Sequence, residues 1–414
     1  GRGFATGLKA IGDTNISSFL AEATTGRTGG FTVRNMTLDG NRAARAATSG
    51  SGVGCLGTSN VLVDTVWLKD WPRSGVFLDG NSADCDNVTV RNCRITGNAL
   101  VGLSQHTVKN AKITGNYFRD SGLENLTIDG ESRGCIVTGN TFKRALGGCG
   151  NIGWDGGDDS VFTGNTVDNE NDTTQSAGNR NGVCINANDI LTEQFVISNN
   201  TIINYPEYGV YARDRTSTGK VKSGRGIIAG NTFKKGAAAT YDVRVEDTDQ
   251  QIDLRGNQWD GGWVTTETAA GQLVVSPGDV RWAATLSDNK TITVSTSYQD
   301  IAFDTADYVK GCSLAATGHV TINAPGLYAI TVKVNLSGLT ATASTRMALL
   351  LLLPDAPDEA INFPVTSNLL EQQVTVFRQL SKGELYARIR SIDGSGTYSI
   401  VAGQQTFFEG ALIG

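Results

Sequence analysis

The sequence predicts an all-β chain: a parallel β-helix followed by a separate antiparallel β sandwich. Three observations predict it. A short phrase ending in Gly-Asn recurs through the first two thirds of the chain. A second column of alternating apolar and polar residues runs between the copies. After Trp263 the repeat stops and longer alternating strands replace it.

The phrase reads Ile95-Thr96-Gly97-Asn98, Ile113-Thr114-Gly115-Asn116, Val137-Thr138-Gly139-Asn140 and Phe162-Thr163-Gly164-Asn165. It continues as Ile197-Ser198-Asn199-Asn200, Ile228-Ala229-Gly230-Asn231 and Leu254-Arg255-Gly256-Asn257, with a degenerate early copy at Leu38-Asp39-Gly40-Asn41. The steps from Asn98 onward are 18, 24, 25, 35, 31 and 26 residues. Such spacing with strand-like units is the signature of a solenoid. β-branched residues alternating with period two exclude a helical repeat. Each repeat is then one turn, burying alternate side chains against the turns above and below. Glycine supplies the positive φ of the corner, and asparagine tolerates it. Stacked asparagines can hydrogen-bond along the axis as a ladder. Each Gly-Asn therefore reads as architecture.

The second column comprises Gly75-Val76-Phe77-Leu78-Asp79, Gly102-Leu103-Ser104-Gln105-His106, Asn125-Leu126-Thr127-Ile128-Asp129 and Asn151-Ile152-Gly153-Trp154-Asp155. Gly182-Val183-Cys184-Ile185-Asn186, Gly209-Val210-Tyr211-Ala212-Arg213 and Asp242-Val243-Arg244-Val245-Glu246 follow. Positions two and four are nearly all apolar and point inward, so positions three and five point outward. Position five is Asp79, His106, Asp129, Asp155, Asn186, Arg213 and Glu246, a polar stripe up one outer face.

A chain of 414 residues is expected to hold two or three domains. Its 51 glycines and 18% charged residues point to turn-rich β structure. The net charge of −6 excludes a basic nucleic-acid footprint. No apolar run approaches the roughly 18 residues of a membrane span. The longest, Met347 to Leu353, reads as a buried strand. The seven cysteines are odd in number and contain no CxxC pair, so they read as buried free thiols of a reducing compartment. Neither a metal nor a cofactor is expected. The chain has no initiator methionine or signal peptide and reads as a fragment of something longer.

In chain order, residues 1–262 are a capping segment and the coil, with Phe19-Leu20 expected to cover the open end. Two long steps hold loops, Asp168 to Arg180 and Tyr205 to Arg225. The second carries Arg213, Arg215, Lys220, Lys222 and Arg225. It reads as a solvated loop or as a contact for an acidic ligand. Residues 263–285 read as a connector. Residues 286–414 carry strands at Thr291–Ser295, Val320–Asn323, Tyr328–Leu336, Met347–Leu353, Val374–Phe377 and Leu385–Ile389.

Ile322-Asn323-Ala324-Pro325-Gly326-Leu327-Tyr328-Ala329-Ile330 resembles the apex and tyrosine strand of the trimeric C1q/TNF-like jelly rolls. Leu380-Ser381-Lys382-Gly383-Glu384-Leu385-Tyr386-Ala387-Arg388-Ile389 resembles their later hairpin, and Phe407-Phe408-Glu409-Gly410-Ala411-Leu412-Ile413 their terminal strand. A right-handed parallel β-helix of the pectate-lyase type followed by such a domain is similar to bacteriophage tailspikes. The resemblance implies a homotrimer held by residues 286–414. It also implies a place in the virion tail, joined to the tail or baseplate through a missing N-terminal segment. The implied ligand is bacterial surface polysaccharide, capsule or O-antigen, with no nucleic acid and no membrane insertion.

Glycoside hydrolysis needs two carboxylates, one to protonate the leaving oxygen and one to activate water or attack. Asp129 and Asp155 hold the same column position on adjacent turns, which lie about 4.8 Å apart. Glu131, Asp158 and Asp159 are near them in sequence. Packed like charges push one pKa up, as a general acid requires. Asp155, beside Trp154, is the expected donor, and Asp129 the expected base, with Asp158 next. An outward acidic stripe is otherwise an ordinary solvated face. Asp155 and Asp158, with an acid on the neighbouring turn, resemble the endorhamnosidase tailspikes. Thr127-Ile128-Asp129-Gly130 and Gly157-Asp158-Asp159 resemble the Asn-Thr-Asp and Gly-Asp-Asp motifs of polygalacturonases, without their Gly-His-Gly. Asp79, His106, Asn186, Tyr208, Tyr211, Arg213, Arg215 and Glu246 are the expected substrate contacts. Trp67, Trp71 and Tyr205 read as outward aromatics or as edge packing. A lyase using His106, Arg213 or Arg215, and a receptor-binding protein with no chemistry, are the alternatives.

Overall fold

The computed structural model describes residues 6–9, 19–22, 30–44, 50–81, 85–174, 180–185, 194–213, 225–246, 251–265, 273–275, 280–294, 297–310, 312–322, 324, 326–337, 346–354, 359–364, 369–381, 383–392, 396–402 and 406–413. The chain divides into two units, Gly1–Leu273 and Val274–Gly414.

The first unit is a parallel β coil. One face is a ten-stranded sheet built from one short strand per turn: Phe19–Glu22, Val53–Leu56, Val76–Asp79, Leu103–His106, Leu126–Asp129, Gly150–Trp154, Asn181–Ile185, Val210–Ala212, Val243–Val245 and Trp263–Thr265. A seventeen-stranded parallel sheet and the short parallel pair Cys85–Asp86 with Val108–Lys109 form the rest of the described wall. The long strands Thr32–Asp39 and Leu62–Lys69 run across both of its faces. Leu62–Asp64 pairs with Thr89–Arg91, and Trp67–Lys69 with Arg94–Thr96.

The alternation works as the sequence implies. Inward residues Val76, Leu78, Leu103, Leu126, Ile128, Ile152, Trp154, Val183 and Ile185 are fully buried. Phenylalanines stack along the axis, Phe118 on Phe142 at 4.7 Å and Phe142 towards Phe162 at 5.7 Å between ring centroids. Each such ring contributes on the order of 2–3 kcal/mol by leaving water.

The asparagine ladder is present and continuous from Asn116 to Asn257. Oδ1 of Asn140 accepts from the Asn116 amide at 2.9 Å and from its Nδ2 at 3.0 Å, and Asn165, Asn200, Asn231 and Asn257 repeat the pattern. The Gly-Asn phrase at 95–98 is not part of it. Ile95 pairs with Phe118 and Leu68, so this copy and Leu38–Asn41 lie one corner further round the coil. The ladder's first rung is instead Cys93, whose amide donates to Asn116 Oδ1 at 2.8 Å across a step of 23 residues. The short step of 18 was an alias between two corners, both of which need a residue at positive φ: Asn92 at 54° on one, Gly97 at 66° on the other.

Thr6–Lys9 and Phe19–Glu22 pair in parallel register with Met36–Asp39 and Val53–Leu56, and Phe19–Glu22 is the terminal strand of its sheet. The expected connector is divided between the units. Trp263–Thr265 pairs with Val243–Val245 as the last strand of its sheet, whereas Arg281–Thr285 pairs with Phe407–Ala411 in the second unit. Trp263 and Trp282 are both buried, which fixes each segment to its own core.

The second unit is an antiparallel sandwich of a seven-stranded and a six-stranded sheet. Its longest pairing sets Gly326–Ser337 against Leu369–Leu380. Trp282, Phe303, Tyr328 and Phe408 meet in its core, with Phe408 5.6 Å from both Trp282 and Phe303. The apolar run Met347–Leu351 is a buried strand. Among the described residues no helix is long and apolar enough to cross a membrane.

Candidate functional site

The outer face of the ten-stranded sheet carries the expected stripe. His106 is in register with Asp79 on one side and Asp129 on the other. All three are half-buried. His106 Nδ1 lies 4.0 Å from Asp79 Oδ1, and Thr107 Oγ1 lies 3.3 Å from the same nitrogen. Asp79 Oδ1 accepts the Asn81 amide at 2.9 Å, and Asp129 Oδ1 the Gly130 amide at 2.7 Å. Gly130, at φ 68°, closes the corner against His106: a Cβ there would lie 3.2 Å from its Cε1. A carboxylate, an imidazole and a second carboxylate thus follow one another on consecutive turns.

Asp155 continues the line, its amide donating to Ile128 O at 2.6 Å. It is only 2% exposed, however, and does not present an outward carboxyl. The turn after Trp154 folds tightly back, with the indole Nε1 donating to Gly157 O at 3.0 Å. Asp158 and Asp159 stand on a different line of the coil. Asp158 bridges Arg133, which bridges Lys109. Asp159, exposed at φ 52°, edges a hollow of about 430 Å³ with Phe195, Val196 and Ile227. Glu131 is exposed on the corner between the lines. The expected five-acid cluster is therefore split, because a three-residue separation turns a corner here.

Between the two halves of the stripe lies a patch that period-two reasoning missed. Column position three runs Phe77, Ser104, Thr127, Gly153, Cys184, Tyr211, Arg244 in register. At Gly153 there is no side chain, and Glu124 from the preceding turn fills the room. Its Cγ lies 3.3 Å and its Oε1 3.5 Å from where a Gly153 Cβ would be. Glu124 Oε1 accepts the Cys149 amide at 3.0 Å, with Cys149 Sγ 3.6 Å away. Burial pushes the Glu124 carboxyl up, opposed by the Cys149 hydrogen bonds and reinforced by the charge of Asp129. Cys149, Cys184 and Tyr211 pack together. Contact with Cys184 and burial hold the Cys149 thiol far from ionising.

Beyond the patch is an arginine–tyrosine group. Arg244 Nη1 donates to Tyr208 OH at 2.8 Å, and its Nη2 lies 2.8 Å from Glu246 Oε1. Tyr211 OH donates to the same carboxylate oxygen at 2.5 Å. Burial first, then this bond, raises the Tyr211 hydroxyl. Arg244 and Arg213 lie over the Tyr211 ring at 5.2 and 5.4 Å. Tyr208 and Tyr211 are 5.3 Å apart.

Asn186, Arg215, Lys220 and Lys222 lie outside the described residues, and Arg225 heads the strand Arg225–Ala229. Three aromatics read as outward are buried: Trp71 and Tyr205 fully, Trp71 donating to Leu38 O at 3.1 Å and Tyr205 to Asp242, and the expected substrate contact Tyr211, which packs on Cys149 and Cys184. Trp67 is half-buried between Lys69 and Arg94. All seven cysteines are free and buried. Among the described residues no three His, Cys, Asp or Glu side chains are placed to hold a metal ion.

A family model for a right-handed β-helix region matches residues 51–233. A search of curated protein sequences finds no match. Among solved structures, the A-module of the mannuronan C-5 epimerase AlgE6 of Azotobacter vinelandii is 16% identical, covering 66% of this chain and 80% of its own at a TM-score of 0.47. The enzymatically active domain of tailspike protein 2 of bacteriophage CBA120 is 11% identical, covering 97% of this chain and 75% of its own at 0.39. Eiger TNF from S. frugiperda is 13% identical, covering 33% of this chain and 91% of its own at 0.25.

Proposed function

We propose that the outer face of the ten-stranded sheet binds and cleaves a bacterial surface polysaccharide, capsule or O-antigen, by carboxylate-mediated glycoside hydrolysis, and that the protein is a phage tailspike. The observation that carries this reading is the in-register row Asp79, His106, Asp129 leading to the Tyr208–Tyr211–Arg244–Glu246 group. Turns repeat at about 4.8 Å, so an extended glycan along the axis meets a different group on each one. Half-buried Tyr208 offers part of a ring for a sugar face, and Arg244 and Glu246 offer donors and acceptors for hydroxyls. Asp129, half-exposed, is the base that activates water.

The test is incubation of the full chain with purified surface polysaccharides from a panel of bacteria, followed by size-exclusion chromatography. Shortening of at least one supports the reading. Binding without shortening supports a receptor-binding role, and neither result defeats both. The imidazole between two carboxylates favours a second chemistry, abstraction of a proton from a uronate by His106. An unsaturated sugar end, visible by its ultraviolet absorbance, would select that lyase over the hydrolase.

The resemblance of residues 286–414 to trimeric jelly rolls supports a homotrimer. Light scattering should give three times the 43.7 kDa chain mass. A concentration-independent monomer would remove that part of the proposal.

A further inference from the structure

With Asp155 at 2% exposure, the proton donor that hydrolysis requires has to come from elsewhere on this face. We propose that Glu124 is that donor, acting opposite Asp129, and that cleavage inverts the anomeric configuration. The inference rests on the hydrolytic reading above and adds to it a residue and a stereochemical course.

Position comes first. Glu124 lies outside the repeating column, yet its side chain crosses to the next turn and stands over Gly153. Gly153 does not adopt positive φ, so glycine is not required there by the backbone. Glu124 and Cys149 pack against its bare face, and the carboxyl itself takes the space of a Gly148 Cβ, which would lie 2.1 Å from Oε1.

Separation comes second. Gly153 is in register with Thr127, two residues before Asp129 on the same strand. Two residues of strand span roughly 7 Å. The Glu124 carboxyl, beside Gly153 on the next turn, is therefore offset from Asp129 by one turn of about 4.8 Å as well as by those two residues, roughly 8–9 Å in all. That lies within the roughly 6.5–9.5 Å that inverting pairs use to admit a water and beyond the ~5 Å of retaining pairs.

Surroundings come third. The groups around Glu124 are Asp129 on its own turn, Cys149 and Asp155 on the next, and Cys184 and Arg213 beyond, Arg213 lying against Cys184 and Cys149. Glu124 is half-buried among them, and this enclosure favours its protonated form.

In the step, the Glu124 proton passes to the glycosidic oxygen as the bond from the anomeric carbon to that oxygen breaks, its electron pair leaving with the oxygen. Water attacks the anomeric carbon from the opposite side and gives a proton to Asp129. Glu124 ends ionised and Asp129 protonated, and exchange with solvent resets both.

The experiment uses full-length Glu124→Gln, Asp129→Asn and Glu124→Asp chains on a polysaccharide that wild type shortens. The first two should each lower kcat by about 100-fold or more. Glu124→Gln should lose the alkaline limb of the pH–rate profile, and Asp129→Asn the acidic limb. Proton NMR of the first reducing ends should show inversion. Glu124→Asp, which keeps a carboxyl but draws it back by one methylene, should lower kcat and keep the alkaline limb. Near-normal turnover or an intact alkaline limb in Glu124→Gln overturns the assignment, as does retention of configuration. Should Glu124→Gln fail to melt cooperatively, an unchanged kcat in Glu124→Asp overturns it instead. If wild type shortens nothing, the hydrolytic reading itself fails and carries this one with it.

Discussion

The Asn116–Asn257 corner and the Asp79–Glu246 stripe are both single columns of register-equivalent residues on one coil. In the first, every rung from Asn116 onward is asparagine and each is tied to the next. In the second, successive positions carry a carboxylate, an imidazole and a carboxylate, and further on a guanidinium and another carboxylate. A column that solves one geometric problem repeats its answer. A column whose members differ solves no single geometric problem of the coil. On the proposed reading, repetition marks the scaffold and departure from repetition marks the face that meets the glycan.

Substitutions can break that comparison. The largest effect on folding should come from the ladder. Asn165 Nδ2 donates to Val137 O at 3.0 Å, to Thr163 O at 3.1 Å and to Asn200 Oδ1 at 3.1 Å, and its Oδ1 accepts from Asn140. Asn165→Ala leaves several of these buried groups unpaired, at about 1–3 kcal/mol each. Urea unfolding should show a loss of about 3 kcal/mol or more. A loss below about 1 kcal/mol would mean that the ladder is ornament to a coil held by its apolar interior.

Asp129→Asn should do the reverse, removing most turnover while changing stability by less than about 0.5 kcal/mol. A stability loss as large as that of Asn165→Ala would move Asp129 from the working face to the scaffold.

A subtler effect concerns pH. Burial raises the Glu124 carboxyl in the folded chain. Its favourable contribution is therefore complete while it is protonated, below its unfolded pKa, and is lost as pH rises through its folded value. Glu124→Gln should match wild type in acid and become relatively more stable above that range. Parallel melting curves across pH 4–8 would contradict it. The smallest effect is expected at Asp79, a half-exposed contact 4.0 Å from His106: Asp79→Asn should weaken glycan binding several-fold at most and leave melting unchanged. Loss of all cleavage on that change would instead place the chemistry at His106.

Much of this was legible in the sequence. Period two identified the inward residues, and the break after Trp263 separated two kinds of β structure. The ladder's first rung was not legible, because Cys93 has no asparagine to display and Asn98 supplied a decoy one corner away. Nor could periodicity identify Glu124, whose side chain leaves its own turn for the gap above Gly153. The signal available was Gly153, a glycine interrupting the outward column between Phe77 and Arg244. Asp155 was misjudged because alternation gives the direction of a side chain but not what the following turn does to it.

The buried thiols also make the molecule a set of clocks. Cys55, Cys85, Cys93, Cys135, Cys149 and Cys184 are spaced along the coil, and Cys312 lies in the second unit. Burial pushes Cys85 and Cys93 up to about 12, so neither reacts as a thiolate while folded. Alkylation at each site can advance only when its own turn opens. Mass spectrometry of the labelled peptides would time the unravelling of the coil turn by turn, from either end, in the native sequence and with no probe introduced.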